Sequence, residues 1–296
     1  MKISILGTNG FLSTAIAKFA NQESWKLDMY GLDAPMGHAY DNFYKVNLMD
    51  AELDYSNLLD SDLIVYAIGA GIQANLKEGA NIIYSLNVTV PVTICNKLKE
   101  LDYRGRFVTF GSVFEMGETN ETHFFNEEEI LTSLCPAPND YTVSKRMLSS
   151  FVSSYEHEFI HWHFYIPTIY GAGENPKRLI PYVINAIRNG ENLSFTAGSQ
   201  TRQYVHVSEI PRLLALAIEK DLPSGLYNIE GKETLTVFEI VSLIHQAMNK
   251  KIPEGCFGTL QRADVGMKYL ALDGGKLRDA IGFEASISII DVIDTY

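Results

Sequence analysis

Tyr141 and Lys145 stand four residues apart in Tyr141-Thr142-Val143-Ser144-Lys145, at the start of a predicted helix over Tyr141–Glu156. At that spacing two side chains share one helical face. A free tyrosine, with a pKa near 10, is a poor proton donor or acceptor at neutral pH. Lowering it by about three units takes roughly 4 kcal/mol, at 1.36 kcal/mol per unit. An ammonium about 4 Å away, at an effective dielectric of about 20, supplies an interaction of that size. The pair is therefore a sufficient proton switch, although taken alone it is also what an ordinary helix surface displays. Ser112 follows the apolar run Arg106–Phe110 and so falls at the carboxyl end of a strand, where ligands sit in open α/β sheets. A hydroxyl there would orient a reacting carbonyl or alcohol against the tyrosine.

A second group of residues reads as a phosphate cradle. Gly7-Thr8-Asn9-Gly10-Phe11-Leu12-Ser13 follows one predicted strand and opens the first predicted helix. Backbone N–H groups at such a helix start hold a pyrophosphate against the positive end of the helix dipole. Gly7, Asn9, Gly10, Phe11 and Leu12 are the expected contacts. Ser13, a small residue, stands where a third glycine would permit close helix–strand packing. Asp33 ends the second predicted strand, where a carboxylate accepts hydrogen bonds from the adenosine ribose hydroxyls and repels a 2′-phosphate. That favours NAD and leaves NADP open; the competing reading of Asp33 is a solvated turn residue before Ala34-Pro35. Asn47, Leu48, Ala67 and Lys145 complete the expected cofactor set.

The elements that must position these groups alternate along the first half of the chain. Strands are predicted at Lys2–Leu6, Lys26–Leu32, Phe43–Val46, Leu63–Ala67 and Arg106–Phe110, and the sheet continues at His161–Ile166. Helices are predicted at Phe11–Asn21, Gly79–Leu98 and Tyr141–Glu156. Val-, Ile- and Leu-rich strands joined by crossover helices indicate a parallel sheet covered on both faces. After Tyr170 the rhythm changes. A loop at Gly171–Pro176 leads to helices at Leu179–Asn189, Glu209–Glu219 and Val237–Met248 and short segments at Leu193–Thr196, Tyr204–Val207 and Gly225–Ile229. The expected fold is α/β, a doubly wound parallel sheet of the Rossmann type with a smaller mixed α/β C-terminal region. Residues 1–169 with 200–229 are assigned to dinucleotide binding, and 170–199 with 230–296 to substrate binding.

Composition narrows the partners. The 296 residues carry 24 basic and 36 acidic side chains, a net charge of −12, with 46% hydrophobic residues. Such a charge disfavours nucleic acid and anionic membrane surfaces. The longest strongly apolar stretch, Leu63–Ile72, is about half of a membrane span. Gly7 and Gly10 interrupt the apolar start before a signal-peptide core develops. Cys95, Cys135 and Cys256 lie far apart, which suits a reducing, cytoplasmic setting. In that setting Asn87-Val88-Thr89, Asn120-Glu121-Thr122 and Asn192-Leu193-Ser194 are chance matches to the glycosylation pattern. His157-Glu158-Phe159-Ile160-His161 matches a zinc-protease pattern but straddles a helix end and a strand start, so no metal site is expected. Glu127-Glu128-Glu129 reads as a solvated helix start.

Taken together, the motifs make the chain resemble the extended short-chain dehydrogenase/reductases, in their nucleotide-sugar epimerase, dehydratase and ketoreductase branch. The resemblance rests on the glycine turn, Gly111-Ser112-Val113-Phe114-Glu115-Met116-Gly117 and Tyr141–Lys145, in order along one chain. It extends through Tyr170-Gly171, Arg178-Leu179-Ile180-Pro181, Gly198–Arg202 and Tyr227-Asn228-Ile229. Phe257–Arg262 with Met267 looks like the tail of the nucleotide-deoxysugar 4-ketoreductases. The resemblance implies Tyr141 as general acid or base, Lys145 tuning it and holding the nicotinamide ribose, and Ser112 hydrogen-bonding the reacting oxygen. It assigns Arg178, Arg202 and Arg262 to a nucleotide-diphosphate sugar. Local guanidinium forks would be needed to overcome a net negative field, and for Arg202 or Arg262 alone a surface salt bridge is the competing reading.

Phe114 and Glu115 are expected to line the sugar pocket, and for both a purely structural role stands level with that reading. Tyr165, Thr168 and Gln203 depart from the family's frequent Arg, Asn and Asp. Val113-Phe114 replaces the Asp-Glu pair of the 4,6-dehydratases, which disfavours a dehydratase. The leading expectation is an NAD(P)-dependent oxidoreductase reducing a 4-keto sugar. The alternatives are an epimerase with tightly bound NAD and a non-catalytic dinucleotide-binding regulator. The resemblance also implies a homodimer through the helices at 79–98 and 141–156.

Overall fold

The computed structural model of the chain describes residues 1–50, 53–72, 77–260 and 267–296. The apolar runs form the buried strands β1 (Lys2–Leu6), β2 (Lys26–Gly31) and β4 (Leu63–Tyr66) and the more exposed edge strand β3 (Asn42–Lys45), with α1 (Phe11–Gln22) crossing between the first two. Then come α2 (Ala80–Tyr84), α3 (Val90–Glu100), β5 (Arg106–Ser112), α4 (Glu127–Leu131), α5 (Asp140–Ser154) and β6 (Ile160–Ile166). The chain continues through β7 (Thr168–Tyr170), α6 (Leu179–Asn189), β8 (Thr201–His206), α7 (Glu209–Glu219) and β9 (Gly225–Asn228). It ends with β10 (Glu233–Thr236), α8 (Val237–Ala247), β11 (Tyr269–Leu270), α9 (Gly275–Ile281) and α10 (Ile289–Val292).

Seven strands make one parallel sheet in the order β3-β2-β1-β4-β5-β6-β9. The chain leaves β1 towards β2 on one side and returns to β4 on the other, so a crevice opens beyond the carboxyl ends of β1 and β4. On one face Ile16 and Ala17 of α1 and Leu213 and Leu214 of α7 share a core with Val108 and Trp162. On the other face Ile94 and Leu98 of α3 pack with Phe107 and Tyr66. Both faces are covered, as the sequence predicts. Among the described residues no helix is long and apolar enough to cross a membrane.

The second sheet is built around β8. β10 runs antiparallel along one edge, while β7 and β11 lie parallel along the other. α6 and α8 back it through Val183, Ile184, Ile240 and Ile244. Thr201–His206, grouped by sequence with the dinucleotide unit, is therefore the middle strand of the smaller sheet. The reason is Pro167, which ends β6 and sends the chain into β7, giving β8 a parallel neighbour there. Leu193–Thr196 forms no strand: Phe195 donates to the Cys256 carbonyl at 2.8 Å and accepts from Thr259 and Leu260, a loop-on-loop contact without a ladder.

The helix predicted over Gly79–Leu98 is broken by one π turn, Ser85–Thr89, between α2 and α3. Such a turn inserts a residue and redirects the side chains on it. Here it turns Asn87 inward. Asn87 Oδ1 accepts from the Ala70 N–H, and Nδ2 donates to the Ala70 carbonyl and to Ser144 Oγ, each at 2.9 Å. This side chain straps the loop after β4 to α5.

Candidate active site

The glycine turn connects β1 to α1 as the sequence requires. Gly7 has φ of +111°, a conformation side-chain-bearing residues rarely adopt, and a Cβ there would lie 3.1 Å from Ile68 Cγ1 and 3.4 Å from the Ala67 carbonyl carbon. Gly10 is the N-cap of α1 and no side chain caps the helix, so its leading N–H groups face the crevice mouth. A phosphate accepts from such groups. Asn9 does different work: its Nδ2 donates to the Ala34 carbonyl at 3.1 Å and its Oδ1 accepts from the Met36 N–H at 2.9 Å, fixing the loop after β2. Phe11 and Leu12 are half-buried and pack on the core beneath. A cavity of about 310 Å³ opens beside the turn, lined by Asn9, Gly10, Phe11, Ala172, Gly173 and Ser208. The backbone fits a dinucleotide pyrophosphate.

The other expected cofactor residues lie along the same edge. Asp33 is exposed two residues beyond the end of β2. Asn47 and Leu48 are half-buried after β3, with Asn47 Nδ2 donating to Asp50 at 2.5 Å. Ala67 follows β4, and its N–H donates to the Leu6 carbonyl at 2.9 Å.

Ser112 is the last residue of β5, and Tyr141 and Lys145 lie on the first turns of α5, whose N-cap Asn139 accepts from the Thr142 N–H. The three are 4%, 5% and 6% exposed, and they meet: Ser112 hydrogen-bonds the Tyr141 phenol and Lys145 lies over its ring. Burial pushes the Tyr141 phenol up to about 12; a hydrogen bond from Ser112 pulls it down, Glu115 pushes it up, and Arg178 pulls it down. The expected lowering of Tyr141 by Lys145 is not what this geometry shows. Lys145 Nζ sits 5.9 Å from the Tyr141 ring centroid and donates instead to the Phe110 carbonyl at 2.8 Å. Burial lowers Lys145 to about 8, against the pull of Glu115 upward. Phe114 is half-buried, its ring edge-on to Tyr141 at 6.5 Å, as a pocket wall would be.

The arginines come from the smaller layer. Arg178 is the N-cap of α6 and pairs through Nε with Glu174 Oε2 at 3.2 Å. Glu174 is buried, and Tyr296 donates its phenol proton to Glu174 Oε1 at 2.5 Å. Burial raises the Glu174 carboxyl while Arg178 and Tyr296 pull it down. Arg202 on β8 donates to the Thr201 carbonyl at 2.8 Å, and burial pushes the Tyr204 phenol up to about 12 against the downward pull of Arg202 and Arg178. Arg262 lies outside the described residues.

Sequence reasoning missed Asn87, Ser144 and Glu174, because a lone polar residue in an apolar segment carries no sign of its partner. Glu115 is wholly buried under the Ser112 turn and does not line the cleft. The zinc-like pattern divides as expected, His157 lying beyond α5 and His161 on β6, and no metal-binding cluster occurs among the described residues.

The profile of the NAD dependent epimerase/dehydratase family matches residues 3–229. A dTDP-D-glucose 4,6-dehydratase of Dictyostelium discoideum is 24% identical over 82% of this chain and 60% of its own length. A CDP-abequose synthase of Yersinia pseudotuberculosis is 21% identical over 69% of this chain and 71% of its own. The structure of a UDP-glucose 4-epimerase of Thermotoga maritima superposes with a TM-score of 0.82 at 16% identity, covering 99% of this chain and 96% of that one. That likeness concerns the fold.

Proposed function

Because the chain belongs to the NAD-dependent epimerase/dehydratase family, we propose that it reduces the 4-keto group of a nucleotide-linked deoxyhexose, with Tyr141 as proton donor. The observation that carries the reading is the convergence of Ser112, Tyr141 and Lys145 in one secluded patch, with Arg178 acting on the same phenol. When bound, the reduced dinucleotide supplies the hydride. The protein supplies the rest. Ser112 holds the sugar oxygen, Tyr141 yields its proton as charge develops there, and Lys145 holds the nicotinamide ribose.

The protonation of Tyr141 supports the reductive direction. A phenol at about 12 carries its proton throughout the neutral range, as a reductase needs at the start. Val113 and Phe114 place no carboxyl beside Ser112 on the cleft side, which supports reduction over elimination of water. The direct test mixes the protein with reduced dinucleotide and a nucleotide-linked 4-keto-6-deoxyhexose. One cofactor oxidised per sugar reduced is the expected result. Cofactor retained through purification, with no net absorbance change as sugar isomerises, would replace this reading by the epimerase.

Arg178 and Arg202 would hold the diphosphate against the net charge of −12. Arg178→Met is expected to raise the KM for the nucleotide sugar about tenfold, the loss of one charge-assisted contact, with NAD affinity unchanged by titration calorimetry. Asp33 at the β2 tip accounts for an expected preference for NAD. A homodimer through α2, α3 and α5 belongs to the same reading and is checked by sedimentation.

A further inference from the structure

Beneath the proton-transfer patch runs a line of buried polar groups that the mechanism above leaves unused. Glu115 Oε1 accepts from the Ser112 N–H at 2.7 Å, and Oε2 accepts from Ser149 Oγ at 2.6 Å. Ser149 Oγ is 3.0 Å from His163 Nε2; Thr109 Oγ1 lies 2.8 Å from His163 Nδ1 and 2.9 Å from His161 Nε2. Every member is at most 1% exposed.

The proton positions follow from donor arithmetic. Burial holds His161, at about 3, and His163 neutral. A neutral imidazole donates from one nitrogen and accepts at the other. If Ser149 gives its one hydroxyl proton to Glu115, it must accept from His163 Nε2. His163 Nδ1 then accepts from Thr109, which accepts from His161 Nε2. His161 Nδ1 is left as a bare acceptor, and it is the atom of this line with no partner. If Glu115 carried a proton and gave it to Ser149, every bond would reverse. His161 Nδ1 would then be a buried N–H without an acceptor, the costlier orphan. The line thus aims its hydrogens at a carboxylate, which burial would otherwise drive to neutrality.

Gly111 leaves room for this arrangement, since a Cβ there would fall within 2.8 Å of Glu115 Oε1, His163 Nε2 and Tyr165 Cδ1. From α5, Tyr141, Lys145 and Arg146 face Glu115; from β6, His163 and Tyr165 do.

We propose that Glu115 is a positioning residue for the proton-transfer patch: its buried carboxyl, which accepts from the Ser112 N–H and ends the Ser149–His163–Thr109–His161 line, anchors the Ser112 turn and couples to the Lys145 side chain. Its catalytic meaning rests on the function proposed above; its charge coupling does not. Burial lifts Glu115 to about 7, opposed by Ser149, the Ser112 N–H, Lys145 and Arg146, while Glu115 in turn raises Lys145. Taking the charge away must lower Lys145.

The test reads Lys145 directly, without turnover, in full-length protein carrying 13Cε-labelled lysine, with the Lys145 signal assigned through Lys145→Arg. Wild type is expected to titrate near 8. Glu115→Gln keeps an acceptor for Ser112 and a partner for Ser149, and is expected to lower the midpoint by about one unit. Glu115→Asp, which restores the charge, returns it towards wild type. A role in packing alone would lower the melting temperature and leave the midpoint in place, and that result overturns the proposal. Should Glu115→Gln fail to fold, Ser149→Ala decides. It removes a donor to the carboxylate, so Glu115 protonates more readily and the Lys145 midpoint falls by about half a unit. An unmoved midpoint in Ser149→Ala overturns the proposal. NAD-linked turnover, scored separately on the same proteins, decides the functional reading: a shifted midpoint without turnover upholds the coupling and sinks that reading alone.

Discussion

Tyr141→Phe is expected to lower turnover by about 10²- to 10⁴-fold, the span one positioned general acid contributes. The ring stays and the hydroxyl goes, so Phe114 keeps its edge-on neighbour and the wall of the pocket is preserved. Cofactor affinity is expected to hold within about twofold, because the pyrophosphate cradle lies on α1 and not on α5. The measurement is kcat under saturating reduced cofactor and nucleotide sugar, with affinity taken from calorimetry on the same sample. Undiminished kcat would remove Tyr141 from the chemistry and return Ser112 and Lys145 to a structural role. Loss of cofactor binding in step with kcat would instead show that the phenol helps hold the dinucleotide.

Gly7→Val should all but remove dinucleotide binding. A β-branched residue at φ of +111° is a steric outlier, and its Cβ would press on Ile68 and the Ala67 backbone. Backbone strain of this kind costs about 1–3 kcal/mol, and relaxing it moves the amides that should face the phosphates. A loss of about 2.7 kcal/mol in binding is a hundredfold in dissociation constant. At a cofactor concentration a hundred times the wild-type dissociation constant, binding stabilises wild type by about 2.7 kcal/mol and the variant by about 0.4 kcal/mol. The readout is the thermal shift with and without NAD. An equal shift in both proteins would mean that the dinucleotide does not use this turn.

Much of this architecture is legible in the residues themselves. Apolar runs such as Ile3–Leu6 and Leu63–Tyr66 need burial on both faces, and the helices between such runs indicate parallel pairing. The Gly7 turn, Ser112, Tyr141 and Lys145 are local signals and fall where their flanking elements put them. The parts that escape are contacts between distant segments. Nothing near Asn87 announces Ala70 or Ser144, and Glu115, three residues from Ser112, gives no hint of Ser149 or His163. Lys145 shows the same limit in another form. Its spacing from Tyr141 sets a shared face, but the Phe110 carbonyl, on another element, takes its hydrogen bond. The strand boundary at Thr201 escapes because the smaller sheet is chosen by β7, a three-residue strand too short to register as a pattern.

The route of the backbone between the two sheets fixes how the cleft opens. The chain passes from the large sheet to the small one at Pro167, back at Val207, out again at Glu230, home at Asp273 and out once more to α10, whose Ile289 joins the core of Ile240 and Ile244. Each passage is short, and β6 runs almost without pause into β7. Each crossing adds a covalent restraint on how far the two lobes can part. Severing the chain after residue 169 would strip α7 and β9 from the large sheet and bare the flank of Trp162, so neither lobe is a detachable module. For the nucleotide sugar proposed above, this route implies a seat shaped before binding, with admission through side chains and surface loops.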